Sequence, residues 1–364
     1  MPSDQEIPKH RQIYDALHQA IVSGRFSQGA RLPSETELVE QYQASRPTVA
    51  RALRDLQERG FVQRRVGSGT FVRLQEPEET HVFGLLIPDL GITEIFEPIC
   101  QGMAESHHQH QNALLWGAAS ASDEGKELRA RRLCKQYIER RASGVFYAPL
   151  ELTELKDEVN EEIVTSLTEA GIAVVLLDRC IYSYPKRSRF DLVGIDNRRA
   201  GFVITDHLLS LGTHRIAFLA RPQSASTVDA RISGYREALY ATGNLVEPGL
   251  IWRGDPSDTD FIREHIAEWS PDGIVCANDH TAAHLMRSLE EIGKRVPEDI
   301  RIAGIDDVKY ASLLRVPLTT LRQPCRQIGA VAMSAMLERL EHPAIPARDI
   351  LLDFELVVRR SSGA

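Results

Sequence analysis

Between residues 13 and 56, apolar residues recur with the period of α-helices. They lie three or four positions apart in three successive stretches, at 13–21, 38–42 and 49–56. Ser34 and Glu37 have the spacing of a capping box, and Ser45 with Pro47 in the next turn suits the start of a third helix. The pattern predicts three short helices, with a very short turn before the third.

The third helix is predicted to have one apolar and one basic face. At 100° per residue, Arg51 and Arg54 lie opposite the apolar stripe, together with the small residue Ala50. The stretches "FVQRRV" and "TFV" then flank Gly67-Ser68-Gly69, which predicts two strands joined by a glycine-rich turn. Three helices and a hairpin predict a winged helix-turn-helix, an α+β domain, over residues 1–73.

The pattern changes after residue 81. Short apolar runs such as "HVFGLLIPD", "AVVLLDR" and "GIVCAND" alternate with helical stretches, which predicts parallel sheets covered by helices. Residues 74–81, "LQEPEETH", are acidic and contain a proline, so we expect a linker there. Several runs end in Asp or Asn, among them Asp89, Asp178, Asn278 and Asp306. Such ends predict a polar ligand cleft, although any single one could instead cap the following helix.

Charge separates these two parts of the chain. The 364 residues have a net charge of -8, but residues 1–73 hold 11 Lys or Arg and 8 Asp or Glu, a net of +3. The remainder therefore has a net charge of -11, and only the N-terminal part is expected to meet a polyanion, unless the asymmetry is chance. The five scattered cysteines, the lack of a long apolar run and the polar start predict free thiols, no membrane span and a cytoplasmic location.

DNA is the polyanion that this shape fits. Arginine on the third helix can fork to guanine O6 and N7 in the major groove. Arg64 and Arg65 on the hairpin can neutralise phosphates, and glycine at its tip lets the backbone approach a duplex. The alternative is a basic helix that is merely solvated. "GSGT" lacks the Gly-Lys-Ser/Thr of a phosphate-binding loop, so no nucleotide cofactor is predicted.

The N-terminal domain resembles the GntR family of bacterial regulators. The resemblance lies in "LPSETELVEQYQASRPTVARALRDLQERGFVQRRVGSGTFV". It implies DNA contacts from Arg46, Thr48, Arg51 and Gly67, and a phosphate contact from Arg31. The chain departs from the family at position 50, where an alanine replaces the usual arginine and an arginine follows. The exposed face of the third helix and the hairpin add further arginines to this set. The predicted DNA-binding residues are therefore Arg31, Arg46, Thr48, Arg51, Arg54, Arg64, Arg65 and Gly67.

Residues 82–360 resemble the effector-binding domain of LacI/GalR regulators. The resemblance lies in "VGIDNRRAGFVITDHLLSLGTHRIAFLA", "RISGYREAL", "DGIVCANDHTAAHLMRSLEEIGKRVPEDIRIAGIDD" and "PLTTLRQP". It implies an α/β, two-lobed, periplasmic-binding-protein-like fold with parallel sheets. We expect one lobe at 82–197 and 308–323 and the other at 198–307 and 324–360, the whole domain extending over 82–364. The predicted effector-binding residues are Asp89, Phe96, Asp178, Arg231, Asn278, Asp306 and Gln323.

Two positions in the predicted effector site allow more than one interpretation. Phe96 could form an apolar wall for the ligand or be a core residue at a helix start. The family often has an aromatic that stacks on the ligand where this chain has Pro256. Either Trp252 or Phe261 replaces that aromatic, or the effector has no apolar face that requires it.

The sequence therefore predicts a DNA-binding transcription regulator. We expect a repressor of carbohydrate-utilisation genes that binds double-stranded operator DNA as a homodimer and is released by a small, sugar-like effector. An activator of the same genes is one alternative. A carbohydrate-processing enzyme with an N-terminal interaction module is another, but the common catalytic motifs are absent and no cofactor is predicted. "SHHQH" at 106–110 has no Cys or acidic partner at matching spacing, so no metal site is predicted.

Overall fold

A computed structural model describes residues 8–65, 68–73, 81–87, 94–107, 112–117, 125–244 and 246–364. The chain divides into two compact units, Met1–Glu79 and Thr80–Ala364, called here the head and the body. Residues 74–80 lie outside the described ranges, so the predicted linker stays a prediction. No helix in the described part of the chain is both long enough and apolar enough to cross a bilayer.

The head has the three helices and the hairpin that the sequence predicts. Its capping box is formed: the Ser34 hydroxyl accepts from the Glu37 N–H at 3.3 Å, and the Glu37 carboxylate accepts from the Ser34 N–H at 2.7 Å. Ser45 precedes the third helix, but its hydroxyl bonds to the Thr48 hydroxyl at 2.7 Å instead of capping the backbone. The elements are α1 (Lys9–Val22), α2 (Glu35–Tyr42), α3 (Arg46–Glu58), β1 (Val62–Arg65) and β2 (Gly69–Val72), with β1 and β2 antiparallel.

The apolar stripes of the three helices meet in one core. Their shared neighbours include the inward residues of the hairpin, so the wing is fixed to the helices by packing. Because α3 buries one stripe here, its other face must remain at the surface. The core contains Ile13, Leu17, Ile21, Leu38, Val49, Ala52, Leu56, Val62 and Val72.

The body contains two six-stranded sheets, each with helices on both faces. The first sheet has the order β13-β7-β6-β5-β3-β4, and the described strand pairs in it are all parallel. Its strands are β3 (Val82–Leu86), β4 (Ala113–Trp116), β5 (Gly144–Tyr147), β6 (Ala173–Leu177), β7 (Asp191–Ile195) and β13 (Asp349–Leu352). Its helices are α4 (Phe96–His107) and α11 (Cys325–Glu341) on one face, and α5 (Lys126–Glu139) and α6 (Lys156–Glu169) on the other.

The second sheet has the order β14-β12-β11-β10-β8-β9 and is parallel except at the β14 edge. Its strands are β8 (Ile216–Ala220), β9 (Ile251–Arg253), β10 (Gly273–Cys276), β11 (Arg301–Asp306), β12 (Thr319–Arg322) and β14 (Glu355–Val357). Its helices are α7 (Asn197–Ser210), α8 (Ser226–Ala241), α9 (Thr259–Trp269) and α10 (Asp279–Glu291). The two-lobed α/β prediction is confirmed. We call the lobe with the first sheet the N-lobe and the lobe with the second sheet the C-lobe.

The predicted lobe boundaries were wrong in the last sixty residues. Residues 308–323 were expected in the first lobe, but β12 pairs with β11 in the C-lobe. Residues 324–360 were expected in the second lobe, but α11 packs on α4 and β13 pairs with β7 in the N-lobe. Within that span, β14 pairs with β12 in the C-lobe as expected. The chain therefore crosses between lobes after β7, after β12 and between β13 and β14. A four-residue strand such as β12, with the sequence TTLR, carries no local sign of the sheet it joins.

Candidate functional site

The exposed face of α3 carries arginines. Arg46, Arg51 and Arg54 are exposed, and none of them forms an ion pair with another described side chain. Thr48 is half-buried, and its hydroxyl is bonded to that of Ser45. Because the opposite face of α3 is fixed in the head core, these three guanidinium groups form a positively charged surface on a rigid element.

The hairpin adds arginines with more constrained surroundings. The Arg31 side chain covers Gly69, where an added Cβ would lie 2.8 Å from the Arg31 Nε. Arg65 lies 4.8 Å above the ring of Phe71. Arg64 is exposed but forms a 2.8 Å ion pair with Glu35, so its charge is partly balanced within the head. Gly67, the predicted contact at the wing tip, lies outside the described residues.

In the body, three predicted effector residues, Arg231, Asp306 and Gln323, lie next to one another. Arg231 is 4% exposed, and it donates from Nε to the Asn197 Oδ1 at 2.8 Å and from Nη1 to the Ala277 carbonyl at 2.6 Å. Its Nη2 lies 3.9 Å from the Asp306 Oδ1, which also accepts from the Gln323 Nε2 at 2.7 Å. Protein acceptors alone therefore hold this guanidinium in place.

Asp178 belongs to a second buried charge cluster at the end of β6. It is 5% exposed, and its Oδ2 lies 3.3 Å from the Nε of Arg179. Arg179 also pairs with Glu151, which follows β5, and lies 5.4 Å above the ring of Phe96. Phe96 is 1% exposed, so it is a core residue at the start of α4 whose ring is covered by Arg179. The sequence analysis missed Glu151, although its place just after a buried strand is the signal that identified the other acidic residues.

The remaining predicted effector residues are not all available for a ligand. The Asn278 Oδ1 accepts from the Thr281 N–H at 2.9 Å and so caps α10, as the alternative for such strand ends allowed. Asp89 lies outside the described residues. Trp252 is 1% exposed in the C-lobe core and does not replace the missing aromatic, while the ring of Phe261 packs 4.1 Å from that of His265.

Burial and neighbouring charges shift the pKa values of the acidic residues in this region. It raises the pKa of Asp306 to about 6, against the opposing effects of Arg231 and Gln323. Burial also raises the pKa of Asp178. Burial alone would raise the pKa of Glu151 as well, but its contact with Arg179 outweighs that effect and the pKa falls below its ordinary value.

A cavity of about 540 Å³ lies where the two lobes of the body meet. It is lined by Asp306 and Gln323, but not by Asp178, Arg231, Phe96 or Asn278. Of the predicted effector residues, Asp306 and Gln323 therefore line this cavity, whereas Arg231 and Asp178 are buried and do not. Its lining also includes Glu94, Ile95, Pro98, Asp307, Cys325 and Phe354.

Hydrogen bonds join the two lobes beside the clusters. The Leu152 N–H donates to the Gln223 carbonyl at 2.7 Å, and the Lys156 ammonium donates to the Ser224 carbonyl at 2.7 Å. Leu152 and Gln223 each have a φ of 57°, a left-handed conformation that is uncommon outside glycine. The N–H of Ala225 and the hydroxyl of Ser226 donate to acceptors of the N-lobe at 3.1 and 3.0 Å. These bonds connect 151–156 and Cys180 to 223–226, and no sequence pattern indicated them.

Metal and disulfide chemistry have no visible site in the described part of the body or head. Among the described residues, no three His, Cys, Asp or Glu side chains are grouped so that they could hold a metal ion. The five cysteines are free thiols, with Cys180 and Cys325 only half-buried. His108 and His110 lie outside the described ranges.

Comparison with known proteins supports both halves of the architecture. Residues 9–72 match the family described as "Bacterial regulatory proteins, gntR family", and residues 205–362 match the "Periplasmic binding protein-like domain". The "Arabinose metabolism transcriptional repressor" of Geobacillus stearothermophilus is 29% identical over 371 residues, 99% of each chain.

Solved structures match the body. A transcription regulator GntR from Chromobacterium violaceum is 30% identical with a TM-score of 0.60, covering 78% of this chain and 99% of that one. A LacI family regulator from Enterococcus faecium with bound ribose is 23% identical with a TM-score of 0.61, covering 77% and 98%, which shows a shared fold. The chain belongs to the bacterial transcription regulators that join a GntR-type helix-turn-helix domain to a LacI/GalR-type, periplasmic-binding-protein-like domain.

Proposed function

We propose that the protein is a cytoplasmic repressor of carbohydrate-utilisation genes that a sugar-like effector releases from its operator. The observation that carries the proposal is the exposed face of α3, where Arg46, Arg51 and Arg54 are unpaired with described side chains while the opposite face is locked in the head core. Similarity over the full length to a repressor of arabinose metabolism supports the class of genes.

The head binds duplex DNA through two groups of residues. Arg46, Thr48 and Arg51, near the start of α3, contact bases and backbone in the major groove. The remaining predicted residues contact phosphates or approach the backbone closely, and they are Arg31, Arg54, Arg64, Arg65 and Gly67. Two heads of a homodimer bind the two halves of a palindromic operator.

The body binds the effector between its lobes. Asp306 and Gln323 contact the ligand, Arg231 and Asp178 define the charge and position of that surface, and Phe96 supports Arg179. Asp89 and the amide of Asn278 complete the predicted set. The effector must bind the operator-free and operator-bound states with different affinities, typically by about 1–3 kcal/mol, to shift the equilibrium.

The test is operator selection from genomic fragments, followed by fluorescence anisotropy with and without mono- and disaccharides. We expect one or a few fragments to bind far more tightly than random duplex, and one sugar to weaken that binding without being consumed. Equal binding to all duplexes would contradict DNA regulation, and turnover of the sugar would favour an enzyme. A footprint that overlaps the promoter supports repression, whereas one upstream of it supports activation, and sedimentation of the complex tests the dimer.

A further inference from the structure

The turn that carries Asp306 has an uncommon backbone conformation. Asp306 has a φ of 130° and Asp307 has a φ of 52°, so two consecutive residues adopt backbone angles that favour glycine. Such conformations are unfavourable by themselves and persist only where the surrounding structure holds them. Asp306 ends β11 and lines the cavity between the lobes, so the conformation of this turn determines where its carboxylate lies.

A buried carboxyl group behind the turn holds its backbone. Asp279, the first residue of α10, is fully buried and does not line the cavity. Its Oδ2 accepts from the Val308 N–H at 3.1 Å, and its Oδ1 accepts from the Thr320 hydroxyl of β12 at 2.6 Å. The same Thr320 hydroxyl accepts from the Asp307 N–H at 3.3 Å. The two backbone N–H groups that follow Asp306 are therefore bonded to Asp279, one directly and one through a hydroxyl.

The surroundings of Asp279 are adapted to a neutral carboxyl group. At Gly304 on β11, an added Cβ would lie 2.4 Å from the Asp279 Oδ1, so a glycine there leaves space for the carboxyl group. Burial and the nearby Asp306 raise the pKa of Asp279 to about 8. Asp279 is therefore largely protonated at pH 7 and adds little negative charge beside Asp306.

A separate pair of contacts holds the side chain of the turn. The Asp307 carboxylate accepts from the Arg322 Nε at 2.7 Å and from the Arg359 Nη2 at 2.6 Å. These contacts involve none of the atoms that Asp279 binds. Loss of the Asp279 side chain should therefore loosen the backbone of the turn and leave its attachment to β12 and to the C-terminal segment in place.

We propose that Asp279 is a positioning residue of the effector site, which holds the turn at 306–308 so that Asp306 presents its carboxylate to the cavity. It acts on the ligand only through this turn. The proposal rests on the body being the effector sensor. It adds a buried residue that the sequence analysis did not select, although it selected the neighbouring Asn278.

Hydrogen exchange of the ligand-free, full-length protein tests the positioning directly. In Asp279→Ala, the amides of Asp307 and Val308 should exchange about tenfold faster, because the hydrogen bonds that hold them are lost or weakened. In Asp279→Asn they should exchange nearly as slowly as in the unaltered chain. The carboxamide oxygen can accept from the Val308 N–H, and the Thr320 hydroxyl can rotate to accept from the new amide.

A matched control lies at the other end of the same helix. Glu291→Ala removes an exposed carboxylate from the end of α10 and should change neither amide. Unchanged exchange in Asp279→Ala overturns the proposal.

Sugar affinity tests the consequence for the site. The same variants are titrated by calorimetry with L-arabinose, D-ribose and cellobiose. A sugar that binds the unaltered chain should bind Asp279→Ala about tenfold more weakly and Asp279→Asn within about threefold, while operator affinity without sugar stays the same. Unchanged sugar affinity in Asp279→Ala overturns the proposal. An Asp279→Asn variant that restores slow exchange but not sugar affinity overturns it too, because affinity would then not depend on the turn.

Thr320 supplies a test that leaves Asp279 in place. Thr320→Val removes the hydroxyl that joins Asp279 to the Asp307 N–H, whereas Thr320→Ser keeps it. The valine variant should show faster exchange at Asp307 and weaker sugar binding than the serine variant does. This pair decides the question if Asp279→Ala fails to fold, and equal exchange and equal affinity in the two variants overturn the proposal.

Operator binding separates this proposal from the function on which it rests. If no genomic fragment is bound in the absence of sugar, the proposed repressor function fails, while the exchange rates still decide whether Asp279 holds the turn. If an operator is bound and a sugar releases it equally well from the unaltered chain and from Asp279→Ala, the repressor function holds and the positioning role of Asp279 is wrong.

Discussion

The head and the body use arginine in opposite ways. In the head, Arg46, Arg51 and Arg54 stand exposed on one helix face, and the structure gives them no ion pair with a described side chain. In the body, Arg231 is 4% exposed and is held by Asn197, by a backbone carbonyl and by the nearby Asp306. The first arrangement leaves charge available to a large external anion, whereas the second uses charge to fix the shape and polarity of a small site.

The difference follows from solvation. An exposed guanidinium keeps its water and releases condensed counterions when it meets DNA, so its contribution depends on salt. A buried guanidinium has lost its water and is stable only when acceptors surround it. Binding in the head should therefore respond to ionic strength, and binding in the body to the removal of a single partner.

The largest expected effect is on Arg231→Ala. The substitution leaves the Asn197 Oδ1 and the Ala277 carbonyl without their buried donor and removes the positive charge beside Asp306. It should lower the free energy of unfolding of the body by about 3–5 kcal/mol. Urea denaturation measures it. Arg236→Ala, an exposed position on the same helix, is the control and should change stability by less than about 0.5 kcal/mol. Equal effects of the two substitutions would show that burial does not distinguish them.

Arg51→Ala should act on binding and not on stability. Its side chain is exposed on α3, so the melting temperature should remain unchanged, while operator affinity falls by about 1–3 kcal/mol and discrimination against mutated operators weakens. Anisotropy titrations with operator and scrambled duplexes measure both quantities. Arg25→Ala is the control, because it removes one positive charge from the head at another exposed position. If Arg51→Ala keeps the preference for operator over scrambled duplex, Arg51 has no role in sequence discrimination.

The pH dependence of ligand binding should follow Asp306. Its pKa is raised to about 6 by burial, with Asp178 and Glu151 adding to that effect and Arg231 opposing it. A sugar that donates to the carboxylate should bind about tenfold more tightly at pH 7 than at pH 5.

The stability of the ligand-free body has the opposite dependence on pH. Because the folded state holds this proton more tightly than the unfolded state does, the contribution of Asp306 falls as the pH rises from about 4 to 6. Calorimetry across this range measures the ligand affinity, and denaturation measures the stability. If an Asp306→Asn variant shows the same dependence of ligand affinity on pH as the unaltered chain, the titrating group is not Asp306.

The smallest expected effect is that of Lys156→Ala. The variant loses one hydrogen bond to the Ser224 carbonyl between the lobes, at a half-buried position. Sugar affinity should fall by about 1 kcal/mol, because closure of the lobes loses one favourable contact, and operator affinity without sugar should stay unchanged. A matched exposed position is Lys135, whose substitution by alanine should alter neither affinity. If the two variants bind the sugar with equal affinity, the Lys156 hydrogen bond does not contribute to closure of the lobes.

The two units also differ in how far their structures could be predicted. The head was predicted nearly in full because its signals are local: the helical period at 13–21 and 49–56, the Ser34–Glu37 box, and alternation across the glycine-rich turn. In the body the strands could be predicted, but the assignment of β12 and α11 to lobes could not, since contacts between distant segments leave no mark in a short local sequence.

The candidate sites follow the same rule. The outward direction of Arg51 and Arg54 follows from helical geometry alone. By contrast, the pairing of Arg179 with Glu151 joins residues that follow different strands, and only the folded structure brings them together. The same holds for the hydrogen bonds between 151–156 and 223–226, which depend on the closeness of two loops from different lobes.

The salt dependence of both binding reactions, measured on one preparation, tests the account most directly. Between 50 and 200 mM salt, operator affinity should fall by roughly 10³–10⁵ if six to ten phosphates are contacted. Sugar affinity should change by less than about twofold over the same range, because the charges of that site are buried. Operator affinity that is independent of salt, or sugar affinity that falls as steeply as operator affinity does, would contradict the account.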